Sequence, residues 1–126
     1  MSRLAKVMAL VVVLVSLSAG AAFAFGAVIQ CKGAPPCVAT GDRDVVNERI
    51  GDGKADDIIL KGGDDVVHAN KYGRDTDVVR SSAGDDRIYV NDGDTRDTAS
   101  GGKGEDLCIV DARSEAKGCA RVQVDR

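Results

Sequence analysis

Aromatic side chains are scarce: Trp is absent, and two Phe with two Tyr make up 3% of 126 residues. Both Phe lie before residue 26, so a core built on large rings is excluded. Histidine occurs once, at His68, and reads as a solvated surface residue rather than a ligand or catalytic base. The Cys-x-x-Cys spacing of a zinc site is missing, although the chain has four Cys. No Ser stands in a nucleophile-elbow context. No basic patch stands out, which argues against nucleic acid as a partner. These absences disfavour an enzyme and point to binding or structure.

What the chain has in quantity is Gly, fifteen of them, together with aspartate, and both favour tight turns. The N-terminus is a separate object. Basic "SRLAK", apolar "VMALVVVLVSL" and "SAGAAFA", ending Ala22-Phe23-Ala24, read as a secretory signal peptide over residues 1–24. An uncleaved membrane anchor is the alternative. Without residues 1–24, which hold Arg3 and Lys6, acids exceed bases by five. All four Cys lie in the exported part, where disulfides persist. Three pairings are open, and the local ones, Cys31–Cys37 and Cys108–Cys119, are the simplest.

A repeat organises the remainder. An acid followed two places on by an aliphatic residue recurs at Asp44, Asp57, Asp65, Asp77, Asp86, Asp97 and Asp106. Long and short gaps alternate, and neighbouring gaps sum to 20 or 21 residues. That period, with two strands in each, is the signature of a solenoid. The turns fall into two alternating classes. Short turns carry Gly63, Gly84 and Gly104 two places before Asp65, Asp86 and Asp106. Long turns carry Gly53, Gly73 and Gly93 four places before Asp57, Asp77 and Asp97. Each class forms one edge of a flattened coil.

Side chains alternate faces along a strand. The series Val46, Ile59, Val67, Val79, Ile88, Ala99 and Cys108 contains no charge and is expected inside. Val45, Ile58, Val66, Val78, Arg87, Thr98 and Leu107 are then outside. His68 follows inward Val67 and also faces out. So thin a core needs staples. Coils stacked in register bring Asp65, Asp86 and Asp106 into a column with a spacing of about 4.8 Å, and likewise Asp57, Asp77 and Asp97. Such columns must be protonated, screened or bridged by a cation. Calcium suits them, because it takes carboxylate and carbonyl oxygens alike, whereas magnesium demands stricter octahedral geometry.

The nonapeptide "GGKGEDLCI", residues 101–109, resembles one full unit of the hemolysin-type (RTX) calcium-binding repeat. The resemblance covers about residues 41–110. At Asp65 and Asp86 the second glycine and the aspartate match; at Asp57, Asp77 and Asp97 only the aspartate carries over. It implies a parallel β-roll in which the aspartate before each strand and the turn carbonyls hold calcium between coils. Calcium is thereby placed first on the short-turn edge, at Asp65, Asp86 and Asp106 with carbonyls near Gly63, Gly84 and Gly104. On the long-turn edge Asp52, Asp56, Asp75, Asp92 and Asp94 stand as replacements for lost carbonyls, or as solvated acids.

The expected molecule is all-β: a parallel β-roll of about three and a half coils, two strands per coil, over residues 42–111. Residues 25–41, with a Cys31–Cys37 loop, precede it, and residues 112–126 form a cap bridged from Cys108 to Cys119. The expected function is secreted, calcium-stabilised binding without catalysis, with no membrane contact after cleavage. The rival is a metal-independent adhesion or envelope module. Its sheet face, with Val45, Val66 and Leu107, would bind an extracellular polymer or protein.

Overall fold

A computed structural model describes residues 26–31, 36–48, 55–71, 73 and 75–126. The signal-peptide expectation over residues 1–24 lies outside the described residues. Along the chain run β1 (Val28–Gln30), β2 (Cys37–Val38), β3 (Val45–Asn47), β4 (Asp57–Ile59), β5 (Val66–His68) and β6 (Val78–Arg80). Then follow β7 (Arg87–Tyr89), β8 (Thr98–Ser100), β9 (Leu107–Val110), β10 (Ala116–Lys117) and β11 (Arg121–Val124). Odd strands form one sheet, ordered β1-β3-β5-β7-β9-β11, and even strands form the other, ordered β10-β8-β6-β4-β2. Every strand pairing among them is parallel.

The repeat strands β3 to β9 are the three and a half coils expected. The flanking segments add two strands at each end, β1 and β2 before, β10 and β11 after. The C-terminal segment therefore continues the coil rather than folding back as a hairpin, because Arg121 pairs with Leu107 in parallel register. Both disulfides take the local pairing, Cys31–Cys37 and Cys108–Cys119, and staple the terminal coils. They fit an oxidising compartment. Among the described residues no helix is long and apolar enough to cross a membrane.

Each strand from β3 to β9 sends two residues inward. In the odd sheet these form the columns Val46-Val67-Ile88-Cys108 and Glu48-Ala69-Val90-Val110. In the even sheet they are Ile58-Val79-Ala99 and Leu60-Ser81-Gly101. The apolar members are fully buried and supply the core.

The expected alternation holds except on β4. There Ile58 is buried and Ile59 is not, the reverse of the expectation. Asp57 pairs with Val78 on the outer row, and Asp56 occupies the position equivalent to Asp77. The cause is packing. Starting the strand one residue later would aim Lys61 into the core, whereas the observed register buries Ile58 and Leu60 together. Asp57 instead meets Arg80 of the next coil at 3.2 Å.

Short turns require glycine where coils touch. Gly84 has φ of 116°, and a Cβ placed there would sit 1.9 Å from the carbonyl oxygen of Gly63. A side chain would meet both the clash and the strain of that conformation.

Candidate metal site

The aspartate before each strand points inward along the edge and bonds to its neighbour coil. On the short-turn edge, Oδ1 of Asp65, Asp86 and Asp106 accepts the backbone N–H of Asp44, Asp65 and Asp86, at 2.7, 2.8 and 2.9 Å. On the long-turn edge, Oδ1 of Asp77 and Asp97 accepts the N–H of Asp56 and Asp77, both at 2.8 Å. Glu115 ends this ladder by accepting the Asp97 N–H at 3.3 Å. It stands one place further along its strand than an aspartate would, and its extra methylene makes up the difference.

These columns are buried rather than splayed into water. Asp65, Asp77, Asp86, Asp97 and Asp106 are each at most 3% exposed. One oxygen of each, Oδ2, is buried with no hydrogen-bond partner. Asp44 differs, because the backbone N–H and hydroxyl of Thr40 reach its Oδ2 at 2.7 and 2.8 Å. The first rung is thus satisfied by the protein, and the later rungs present an orphaned acceptor to the interior of the edge.

The two edges then diverge. The short turns carry a second acid ladder running the opposite way: Asp64 accepts the N–H of Asp85 at 2.9 Å, and Asp85 accepts that of Glu105 at 2.8 Å. Paired acids such as Asp85-Asp86 therefore bond to opposite neighbours, which stitches this edge with backbone hydrogen bonds. Gly63, Gly84 and Gly104 sit in these turns with positive φ. Among the described residues, no three carboxylates converge here.

On the long-turn edge they do. One carboxylate oxygen from each of Asp75, Asp77, Asp92 and Asp97 lies within 4.8 Å of all the others. Glu48, Asp56 and Asp77 form a second such group. Asp75 stands two residues before Asp77 on one turn. Asp92 lies in the next turn, where its Oδ1 caps the N–H of Asp94 at 3.0 Å. Buried oxygens without a hydrogen bond include Asp75 Oδ1, Asp77 Oδ2, Asp92 Oδ2 and Asp97 Oδ2. Asp94 itself turns to Arg96, at 2.9 Å. Asp52 lies outside the described residues.

Burial dominates the electrostatics. Loss of water pushes the carboxyls of Asp77 and Asp97 up to about 8, and that of Asp92 up to about 6, with neighbouring acids adding to each. Asp75 is raised by the same desolvation. On the short-turn edge burial raises Asp65 to about 6 and also raises Asp86. An acid that water has left is stabilised by a proton or by a cation. Four converging carboxylates, each with one buried oxygen that lacks a hydrogen bond, fit a hard cation that prefers oxygen. Neither His nor Cys takes part, so the donor set is wrong for soft metals. His68 lies outward on the odd sheet, stacked on Tyr89 with ring centroids 5.0 Å apart; burial lowers its pKa.

The ions were expected first at Asp65, Asp86 and Asp106, with Asp57 in the other column. The structure gathers acids around Asp77 and Asp97 instead, with Asp56 in the position given to Asp57. Asp75 and Asp92 join from the replacement acids. Glu48 and Glu115 were missed. A charged residue aligned with Ala69 and Val90 was the available signal for Glu48. No protein-family model matches this chain, and no curated protein or solved structure is significantly similar to it. The chain is thus a parallel β-solenoid with clustered buried acids, compatible with an RTX-like roll.

Proposed function

We propose that this chain is an exported calcium-binding β-solenoid, stabilised by the ion on its long-turn edge and without catalytic activity. The observation that carries the reading is the convergence of Asp75, Asp77, Asp92 and Asp97, with orphaned buried oxygens, inside 4.8 Å. Separations within 4.8 Å suit oxygens gathered around one divalent ion, and calcium is favoured because it accepts carboxylate and carbonyl oxygens in flexible geometry, whereas magnesium demands a strict octahedron. This reading favours the other edge from the one the repeat resemblance implies, because the long-turn acids are the ones that converge. Disulfides and the N-terminal apolar run support export through residues 1–24.

Isothermal titration of the metal-free, disulfide-intact protein with calcium at pH 7.5 tests this. Wild type and Asp106→Asn bind alike, while Asp97→Asn loses at least about tenfold in affinity, the scale of one lost charged contact. Equal loss in both variants returns the site to the short-turn edge. Absence of heat in wild type up to millimolar calcium rejects the proposal.

A second reading, adhesion, rests on a groove of about 470 Å³ on the outer face of the odd sheet. Val45, Val66 and Leu107 line it, together with Arg43, Arg87 and Arg121 and the acids Asp64, Asp85 and Glu105. Replacing the three apolar residues by Ser or Thr separates the readings. Calcium binding survives if the ion is the function of the edge, and polymer or protein capture is lost if the groove is an adhesion surface.

A further inference from the structure

We propose that the two ends of the solenoid are the two halves of one interface: β11 of one copy receives β1 of a second copy in parallel, and copies of this chain stack head to tail. The inference stands apart from the calcium reading and does not depend on it.

Exposed apolar side chains are the first observation. Among the described residues the large exposed hydrophobics are Val28, Val38 and Val124, at 79%, 47% and 43%. All three lie on end strands: β1, β2 and β11. The core is open at the same places. Ile29 and Cys37 at one end, and Ala116, Cys119 and Val122 at the other, pack on it yet stay only partly buried. A solenoid that ends in water covers its last coil with a polar layer. Here the last layer is the inward apolar row itself.

The hydrogen-bond ladder is the second, independent observation. Arg121 and Asp125 donate their N–H groups to Asp106 and Val110 of β9. Alternation along a strand therefore turns the backbone groups of Val122 and Val124 to the outer edge. On β1, Ala27 accepts from Val45 and Cys31 donates to Asn47, so Val28 and Gln30 face outward. The two edges are in phase. With Val28 of the next copy opposite Arg121, its Val28 and Gln30 N–H groups meet the carbonyls of Ala120 and Val122. The N–H groups of Val122 and Val124 then meet the carbonyls of its Val28 and Gln30. This is the register that every coil already uses. It sets Ile29 beside Val122, which closes the core, and Gln30 beside Gln123. Amide ladders support in-register parallel strands, and Asn70 and Asn91 already form one at 3.2 Å.

Charge selects the orientation. Residues 112–126 carry four basic and two acidic side chains, a balance of +2, whereas residues 26–48 carry two basic and three acidic, a balance of -1. Head-to-tail stacking joins opposite signs, and two-fold pairing of β11 with itself joins like signs. Such a heterologous contact does not close on itself, so it builds an open row.

Analytical ultracentrifugation of the exported, disulfide-intact protein at pH 7.5 tests this across a concentration series. The weight-average mass of wild type rises with concentration to at least about twice the monomer by about 1 mM. Val28→Lys sets a cation opposite Arg121 of the neighbour, and like charges directly opposite repel. Val124→Lys sets one against the neighbour's core. Each variant alone stays monomeric. An equal mixture of the two forms a dimer and nothing larger, because one copy keeps a sound β11 and the other a sound β1. Far-UV circular dichroism checks folding. Should Val124→Lys be unfolded, Val124→Pro takes its place, since it removes an outward N–H and no bond to β9. A wild type that stays monomeric to about 1 mM overturns the proposal. So does association that survives both substitutions, association lost in one variant only, which marks a two-fold contact, or a mixture that remains monomeric.

Discussion

Calcium raises the melting temperature of the metal-free, disulfide-intact protein by about 15 °C or more at pH 7.5. An ion that binds the folded form alone, at about 1,000 times its dissociation constant, adds about 4 kcal/mol. In a domain of this size each kcal/mol moves the midpoint by about 4–8 °C. The solenoid is susceptible because its apolar columns are thin and interrupted, by Glu48, Ser81 and Gly101. Calorimetry at rising calcium checks the shift. Asp77→Asn removes most of it, since Asp77 belongs to both acid groups. Asp106→Asn leaves the calcium increment in place, and its amide oxygen still accepts the Asp86 N–H. A midpoint that moves less than about 2 °C in wild type contradicts the ion-locked edge.

Acidification has the opposite sign to that of most proteins. Asp77 and Asp97 carry folded-state values of about 8 because burial strips water from them. In the unfolded chain an aspartate titrates near about 3.9. Between those values the folded state holds protons that the unfolded state has released, so stability falls as pH rises. The metal-free protein is therefore more stable near pH 5 than near pH 8, by a few kcal/mol, or on the order of 10 °C in midpoint. Calcium replaces the protons, so the calcium-bound protein loses this dependence above pH 7. Thermal melts in chelator and in calcium, across pH 5 to 8, supply both curves. A metal-free midpoint that climbs with pH shows that these acids are ionised and solvated in the folded state.

Much of the architecture follows from the alternation of apolar and polar residues. Val46, Val67, Val79, Ile88, Ala99 and Cys108 are inside because each stands two places after an aspartate, with an outward residue between. The β4 register was not legible at Asp57. Two acids precede two isoleucines there, so the first inward position is equally apolar in either frame. Only the second inward position, Leu60 against Lys61, separates them. The edge that gathers acids was harder to read. Nonapeptide resemblance favours the short turns, because it scores glycine and aspartate in a pattern. It does not register that Asp64 and Asp85 take up the backbone N–H groups of Asp85 and Glu105 there. In the long turns the convergence of Asp75 with Asp92 joins residues one coil apart, a relation that appears once the coils are stacked. Glu48 was hidden because its column was not traced past the first inward residue of each strand.

The central claim is that the long-turn acids hold calcium, and a crystal structure grown with calcium tests it most directly through the anomalous difference map. The account predicts a peak enclosed by Asp75, Asp77, Asp92 and Asp97. A map with peaks only beside Asp65, Asp86 and Asp106, or with the long-turn carboxyls bonded to one another and no ion between them, contradicts it.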